Sequence, residues 1–313
     1  MKRGKVPVKL MTAAPHFDAN PSPLKQALLV GADSELASFL ASALDSAAWA
    51  ILQVPNNAAA LSAAEKEHFD LILTDEKTPG REDVELLRRI RRVRPHTRLI
   101  ILTGESTPED VIASMRARAF SYFSRPFRLS ELAAMIQHAA EEPSWDDGIE
   151  VVSATPELIR TLVRCDLKTA DRLLQFLDEI AELPDQEKHD VARAFREMLI
   201  NAIEHGGQLD PTKRVDIEYV RAHRMVSCRI NDPGPGFRRD ELAHAAIENP
   251  ADDPLRHIEV REEQGLRPGG FGILLARHLV DQLIYSEEGN EVVLVKYLTA
   301  APPAPASGQI PCV

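Results

Sequence analysis

From Gln26 to Ala140, short apolar runs alternate with amphipathic segments, a pattern that admits few folds. The apolar runs are "ALLV", "AILQV", "DLILT", "RLIILT" and "SYFS". Among them, helical periodicity predicts helices at 34–47, 82–93, 108–118 and 130–140. Five such strand and helix units predict a doubly wound (βα)5 parallel sheet. Sheets of this kind place their chemistry at the carboxyl ends of the strands.

Three of those ends carry informative residues. In "FDLILTDEKTPG" the strand ends on Asp75, with Pro79 four residues later; "LIILTGE" ends on Thr103; "YFSRPF" ends on Arg125 followed by Pro126. These residues and spacings resemble the receiver domain of two-component response regulators. The resemblance implies that Asp75 is the phosphoacceptor, fed by an upstream histidine kinase in a phosphorelay. It also implies that Thr103 follows the phosphoryl group, that Tyr122 is the aromatic switch, and that Arg125 stands where the family has lysine. A carboxylate is an adequate nucleophile toward phosphorus when a cation neutralises the phosphoryl oxygens. This sequence departs from the family after its first strand: "LLVGADSE" puts Gly31 and Ala32 where two magnesium-holding acids belong, with Asp33 one residue further on. A one-residue shift reverses side-chain direction on a strand, and arginine for lysine changes reach and donor geometry. These departures favour a receiver-shaped interaction module over a phosphorylated switch, and leave Asp75 the acceptor if the site functions.

The chain has 313 residues, 44% hydrophobic and 27% charged, enough for two domains with a core in each. The break "EEPSWDDG" separates two differently patterned halves. The expected organisation is a disordered tail at 1–23, a receiver-like domain at 24–140, a linker at 141–150, a second domain at 151–298 and a disordered Pro/Ala/Ser-rich tail at 299–313. A net charge of -11 argues against a nucleic-acid partner, because phosphate contacts need clustered Lys and Arg. The apolar stretch near the start is too short for a signal core or a membrane span, so a cytoplasmic protein without membrane association is expected. Cys165, Cys228 and Cys312 lack metal-ligand spacing and read as reduced thiols.

In the second half, strands and a helix at 167–182 precede "REMLINAIEHGG", residues 196–207. Its polar residues Glu197, Asn201 and His205 recur every four positions and so share a helix face. Two alternating strands follow. "RVDIEYV" turns Val215, Ile217 and Tyr219 one way, and "VSCRIND" does the same with Val226, Cys228 and Ile230. Continuing that period turns Asp232 inward, where a carboxylate asks for a donor. Next comes "PGPGF", whose Gly234 and Gly236 allow a tight turn and close approach of a flat ligand. Later, "RPGGFGI" places Gly269, Gly270 and Gly272 before a helix expected at 273–283, and bare amides at a helix N-terminus suit phosphates.

The boxes "E-x-x-x-N-A-I-x-H-G", "N-D-P-G-P-G-F" and "G-G-F-G-I", in that order, resemble the ATP-binding domain of histidine kinases and gyrase-type ATPases. That resemblance implies an α/β sandwich of helices on a mixed sheet. Within this superfamily the first box and "LVDQLIY" are most similar to the anti-sigma-factor serine kinases. The resemblance implies ATP and Mg²⁺ as cofactors, with Asn201 on the metal, Asp232 accepting from the adenine amino group, and His205 within the nucleotide box. It implies that Gly234, Gly236, Gly269, Gly270 and Gly272 line the nucleotide, that 238–268 is a lid from which Arg261 or Arg267 reaches the γ-phosphate, and that Glu197 is the general base. His189 stands twelve residues before Asn201 on the same helix, roughly 18 Å away, so it is not a phosphoacceptor for this site.

Two function classes stay open. One is a receiver-coupled serine/threonine kinase acting on a small anti-sigma-factor antagonist. The other is an ATP-gated module that sequesters a sigma-factor-like partner without phosphotransfer, with a homodimer or an orphan histidine-kinase-like ATPase as further variants. Keeping both Glu197 and Asn201 favours chemistry over nucleotide sensing.

Overall fold

The computed structural model describes residues 24–31, 33–75, 77–141, 147–236, 263 and 271–299. Ala32, the terminal segments 1–23 and 300–313, and most of the expected lid, with Arg261, Arg267, Gly269 and Gly270, lie outside the described residues.

The first domain runs β1 (Lys25–Val30), α1 (Ser34–Ala43), β2 (Trp49–Val54), α2 (Asn57–Lys66), β3 (Leu71–Thr74), α3 (Gly80–Val93), β4 (Arg98–Thr103), α4 (Pro108–Arg116), β5 (Ser121–Ser124) and α5 (Leu129–Glu141). Its five strands pair in parallel in the order β2-β1-β3-β4-β5, the doubly wound arrangement expected from the alternation. Strands β3 and β4 are buried along their apolar runs because helices cover both faces. Two details differ from the sequence reading. Helix α1 stops at Ala43 rather than 47, because Leu44 is extended and the Asp45 carboxylate accepts from the Ala47 amide at 2.9 Å, turning the chain. Helix α2 was not expected. Asn56 caps it by accepting from the Ala59 amide at 2.9 Å.

The second domain comprises β6 (Ile149–Ala154), β7 (Leu158–Arg164), α6 (Leu167–Ile180), α7 (Asp185–Asn201), a π-helical turn (Ala202–Gly206), β8 (Arg214–Ala222), β9 (Met225–Asn231), α8 (Gly272–Leu279), β10 (Gln282–Tyr285) and β11 (Glu291–Tyr297). The six strands lie in the order β10-β11-β9-β8-β7-β6, and every pairing is antiparallel where the resemblance implied a mixed sheet. Val215, Ile217 and Tyr219 on β8, with Val226, Cys228 and Ile230 on β9, are buried toward the helices as the alternation required. Each such side chain removed from water contributes on the order of 1.5–3 kcal/mol. The helix expected at 273–283 ends at Leu279, and "QLIY" becomes β10, paired with β11.

The domains share a packed boundary. Leu173, Phe176 and Leu177 of α6 belong to one buried cluster with Val111, Ile112 and Met115 of α4 and Tyr122 of β5. Cys165 and Cys228 are free and buried, and burial pushes their thiols up to about 11 and about 12. Among the described residues no helix is long and apolar enough to cross a membrane.

Candidate functional site

Helix α7 carries the first box. Glu197 and Asn201 are half-buried and one turn apart, and both approach the bare Cα of Gly272, the first residue of α8. A Cβ built on Gly272 would lie 2.7 Å from Glu197 Oε2 and 3.7 Å from Asn201 Nδ2. A carboxylate and an amide therefore meet where α8 exposes its first amides, a position that favours an anion. Among the described residues no ion pair engages Glu197, so the surface pairing with Arg193 that its spacing allows is not formed. Its neighbour Arg196 pairs instead with Asp171 of α6 at 2.5 Å.

His205 departs from the expected stripe. After Asn201 the backbone widens into the π-helical turn, in which the Gly207 amide bonds to Ala202 O at 2.7 Å, five residues back. The wider turn breaks the four-residue phase, and His205 is exposed. A nucleotide contact from His205 therefore does not follow from sharing a face with Glu197 and Asn201.

Asp232 follows β9 and tucks beneath that π turn. A Cβ on Gly206 would lie 2.1 Å from Asp232 Oδ1, so only a glycine fits above the carboxylate. Oδ1 accepts from the Gly234 amide at 2.8 Å, and burial raises the carboxyl above its ordinary range. Gly234 thus serves Asp232 directly. Gly236 has φ +78°, and its missing side chain leaves room for Glu288 O, 1.8 Å from where a Cβ would sit. That glycine is required by packing against the β10–β11 turn, and lining a nucleotide is not needed to explain it.

In the receiver half the loop after β3 presents Asp75, only 3% exposed. Its Oδ1 accepts from the Lys77 amide at 3.1 Å, and its Oδ2 is buried without a hydrogen-bond partner. Gly31 explains the enclosure: at φ +125°, a Cβ there would lie 1.9 Å from Asp75 Oδ2. Asp33 does not bend back to replace a magnesium-holding acid. It caps α1, accepting from the Glu35 and Leu36 amides at 2.8 and 3.0 Å, and the Leu36 bond leads in holding its pKa low. The Thr103 hydroxyl donates to Glu105 O at 2.7 Å and lies 3.4 Å from Thr78 O, in the loop that follows Asp75. Arg125 is exposed, precedes a cis peptide bond to Pro126, and stacks its guanidinium 4.9 Å from the Phe127 ring. Tyr122 points inward: its hydroxyl occupies the space a Gly80 side chain would take, and burial pushes it up to about 12.

One residue of this region escaped the sequence reading. Asp83 on α3 is fully buried, accepts from Asn57 Nδ2 at 2.8 Å, and is pushed up to about 7 by burial, with the charge of Asp75 adding to the rise. The signal was present, since an acid stands in line with Leu87 and Ile90 on the buried face of α3.

Residues 27–137 match the response regulator receiver domain, and residues 153–296 match the histidine kinase-like ATPase domain. The chain is 30% identical over 114 residues to the response regulator receiver protein CpdR of Brucella abortus, covering 36% of this chain and 95% of that protein. It is 26% identical over 202 residues to the uncharacterized transcriptional regulatory protein YkoG of Bacillus subtilis, covering 62% of this chain and 86% of that one. A CheY-like receiver domain structure from Methanospirillum hungatei JF-1 is similar at 28% identity and a TM-score of 0.33, covering 37% of this chain and 92% of that one. The chain spans less than a third of the length of the NtrC regulators that it also matches. It belongs to the response regulator receiver family through its first domain. Its second domain is a histidine kinase-like ATPase domain, so the molecule joins a signalling receiver to an ATP-binding half.

Proposed function

We propose that this chain is a receiver-coupled, ATP-dependent serine/threonine protein kinase of the anti-sigma-factor type, whose substrate is a small antagonist protein. The observation that carries this reading is the convergence of Glu197 and Asn201 on the N-terminus of α8. The residues fit the cofactor: Asp232 is a half-buried carboxylate whose Oδ1 accepts from one amide, that of Gly234, and Gly206 packs beside it without a Cβ.

Bound Mg-ATP supplies the phosphoryl group and the metal charge that neutralises it. Asn201 would offer its amide oxygen to the metal, which takes few protein ligands and keeps water. Asp232 would accept from the adenine amino group, which would offset its burial, and the first amides of α8 would receive the phosphates. Glu197 would take the proton of the incoming hydroxyl on Oε2 as the hydroxyl oxygen bonds to the γ-phosphorus and the bond from that phosphorus to the departing ADP breaks, a role typically worth 10²–10⁴-fold in rate. In this reading the receiver acts as an interaction surface, because the Asp75 oxygen meets Gly31 where a metal-holding acid would stand.

The test is transfer from [γ-³²P]ATP with Mg²⁺ to candidate antagonist proteins. Label should reach a partner with the wild type, vanish with Glu197→Gln while nucleotide still binds, and vanish with Asn201→Ala together with nucleotide affinity. Tight ATP and partner binding without transfer would establish the sequestering module instead.

A further inference from the structure

Strand β5 is the outer strand of the receiver sheet, so one side of its backbone has no strand partner. Such an edge invites pairing unless something covers it. Here the cover is α6 of the ATPase domain. Arg172 Nε donates to Phe120 O at 2.8 Å and its guanidinium lies 4.2 Å from the Phe120 ring. Gln175 Nε2 donates to Tyr122 O at 3.1 Å. Glu179 accepts from the Ser124 amide at 3.1 Å and from the Ser124 hydroxyl. Residues 172, 175 and 179 are spaced three and four apart, so one face of α6 satisfies successive main-chain groups of the edge. Arg172 is buried and is also anchored to Asp147 through the carbonyl at 2.5 Å and the carboxylate at 2.6 Å.

A second face of α6 holds α7. Asp171 pairs with Arg196 at 2.5 Å and Asp178 with Lys188 at 3.2 Å. Arg196 immediately precedes Glu197, so α6 touches the turn that aims the carboxylate. At the other end of the chain of contacts, Tyr122 gives its carbonyl to Gln175 while its ring seats against Gly80, five residues beyond Asp75.

We propose that α6 is the transmission element between the two halves. Arg172, Gln175 and Glu179 read the position of β5, and Asp171 passes it through Arg196 to Glu197 and Asn201. These five are positioning residues, and the proposal rests on the reading of Glu197 and Asn201 as the nucleotide site. Coupling between sites is reciprocal, so nucleotide must also stabilise β5.

Hydrogen exchange on the full chain tests this in both directions. Saturating Mg-ATP should slow amide exchange in β5 and α6 about fivefold or more in the wild type. Asp171→Arg should abolish that distant protection, and the charge-swapped double variant Asp171→Arg with Arg196→Asp should restore it, a recovery that a generally loosened interface would not show. Without nucleotide, Gln175→Leu should speed exchange in the Arg196–Ile203 stretch, at an unchanged urea midpoint for the rest of the chain. Nucleotide binding to the wild type, measured by calorimetry, is scored separately. If Mg-ATP does not bind, the nucleotide reading fails and the Gln175→Leu arm alone decides the relay. Exchange changes in Gln175→Leu that are confined to β5 and α6 and do not reach Arg196–Ile203, or nucleotide protection of β5 that persists in Asp171→Arg, would overturn it.

Discussion

In both halves of this molecule a glycine Cα faces a carboxylate, and the two contacts have opposite consequences. In the receiver, Gly31 at φ +125° presses against Asp75 Oδ2, and the carboxylate is sealed with one oxygen unpartnered. In the ATPase domain, Gly272 opens α8 beside Glu197 and Asn201, and both side chains remain half-buried at the mouth of a helix N-terminus. The first glycine closes over a carboxylate that a side chain at that position would displace. The second leaves a gap beside Glu197 and Asn201, which is the place of the phosphates under the function proposed above. What decides between a closed and an open site is the far side of the contact: buried sheet ends in one case, the first turn of a helix in the other.

The sharpest break between the two sites should come from their carboxylates. Glu197→Gln is expected to lower phosphoryl transfer by about 10²–10⁴-fold with ATP affinity retained, and Asp75→Asn is expected to leave both unchanged; single-turnover transfer and calorimetry read the pair. Equal losses would erase the distinction. Gly31→Ala comes next in size. A Cβ there meets Asp75 Oδ2 at 1.9 Å in a backbone region that L residues rarely adopt, so a destabilisation of about 2–4 kcal/mol is expected in urea denaturation. A near-neutral result would mean that the receiver loop is free to rearrange and that its closure is not built in.

Buried Asp83 offers a pH test of the closed half. Its folded-state pKa of about 7 lies above the ordinary 3.8, so the folded protein holds a proton that the unfolded chain releases in between. Stability contributed by this group is therefore present below about pH 4, falls as pH rises toward 7, and is lost above it. Asp83→Asn keeps an oxygen for Asn57 Nδ2 without the charge. The variant should match the wild type near pH 4 and exceed it by roughly 1–3 kcal/mol at pH 8, measured by denaturation at each pH. A gain that does not depend on pH would show that Asp83 is not the group responsible.

How much of this was legible follows from where each signal lay. The parallel sheet was readable because "DLILT" and "RLIILT" are apolar runs bounded by turns, and the ordered boxes marked the second domain. Helix α2 was missed because "NAAALSAAEK" is alanine-rich and its apolar and polar faces contrast little. Glu197 and Asn201 obeyed the four-residue rule, but the π turn that moves His205 is set by backbone bonds five residues apart, such as Gly207 to Ala202, which no side-chain pattern marks. Arg172, Gln175 and Glu179 were read only as part of a helix at 167–182, although their three- and four-residue spacing puts them on one face. Their partners are main-chain atoms of β5, which no side-chain pattern marks.

Gly272→Ala carries the comparison to its finest scale. Unlike Gly31, Gly272 has helical backbone, so alanine brings no strain there and adds helix propensity worth up to about 1 kcal/mol. The added methyl would stand 2.7 Å from Glu197 Oε2, the far end of a flexible side chain that can swing aside. The fold should therefore be as stable as the wild type or slightly more so. Transfer should still fall about tenfold, because a catalytic carboxylate displaced by about 1 Å loses its alignment. Stability and activity moving in opposite directions would mark Gly272 as a glycine kept for the site, whereas Gly31→Ala should cost stability and leave transfer per folded molecule unaltered. If Gly272→Ala instead lowers both together, the open half is held by packing in the same way as the closed one, and the contrast between them reduces to exposure alone.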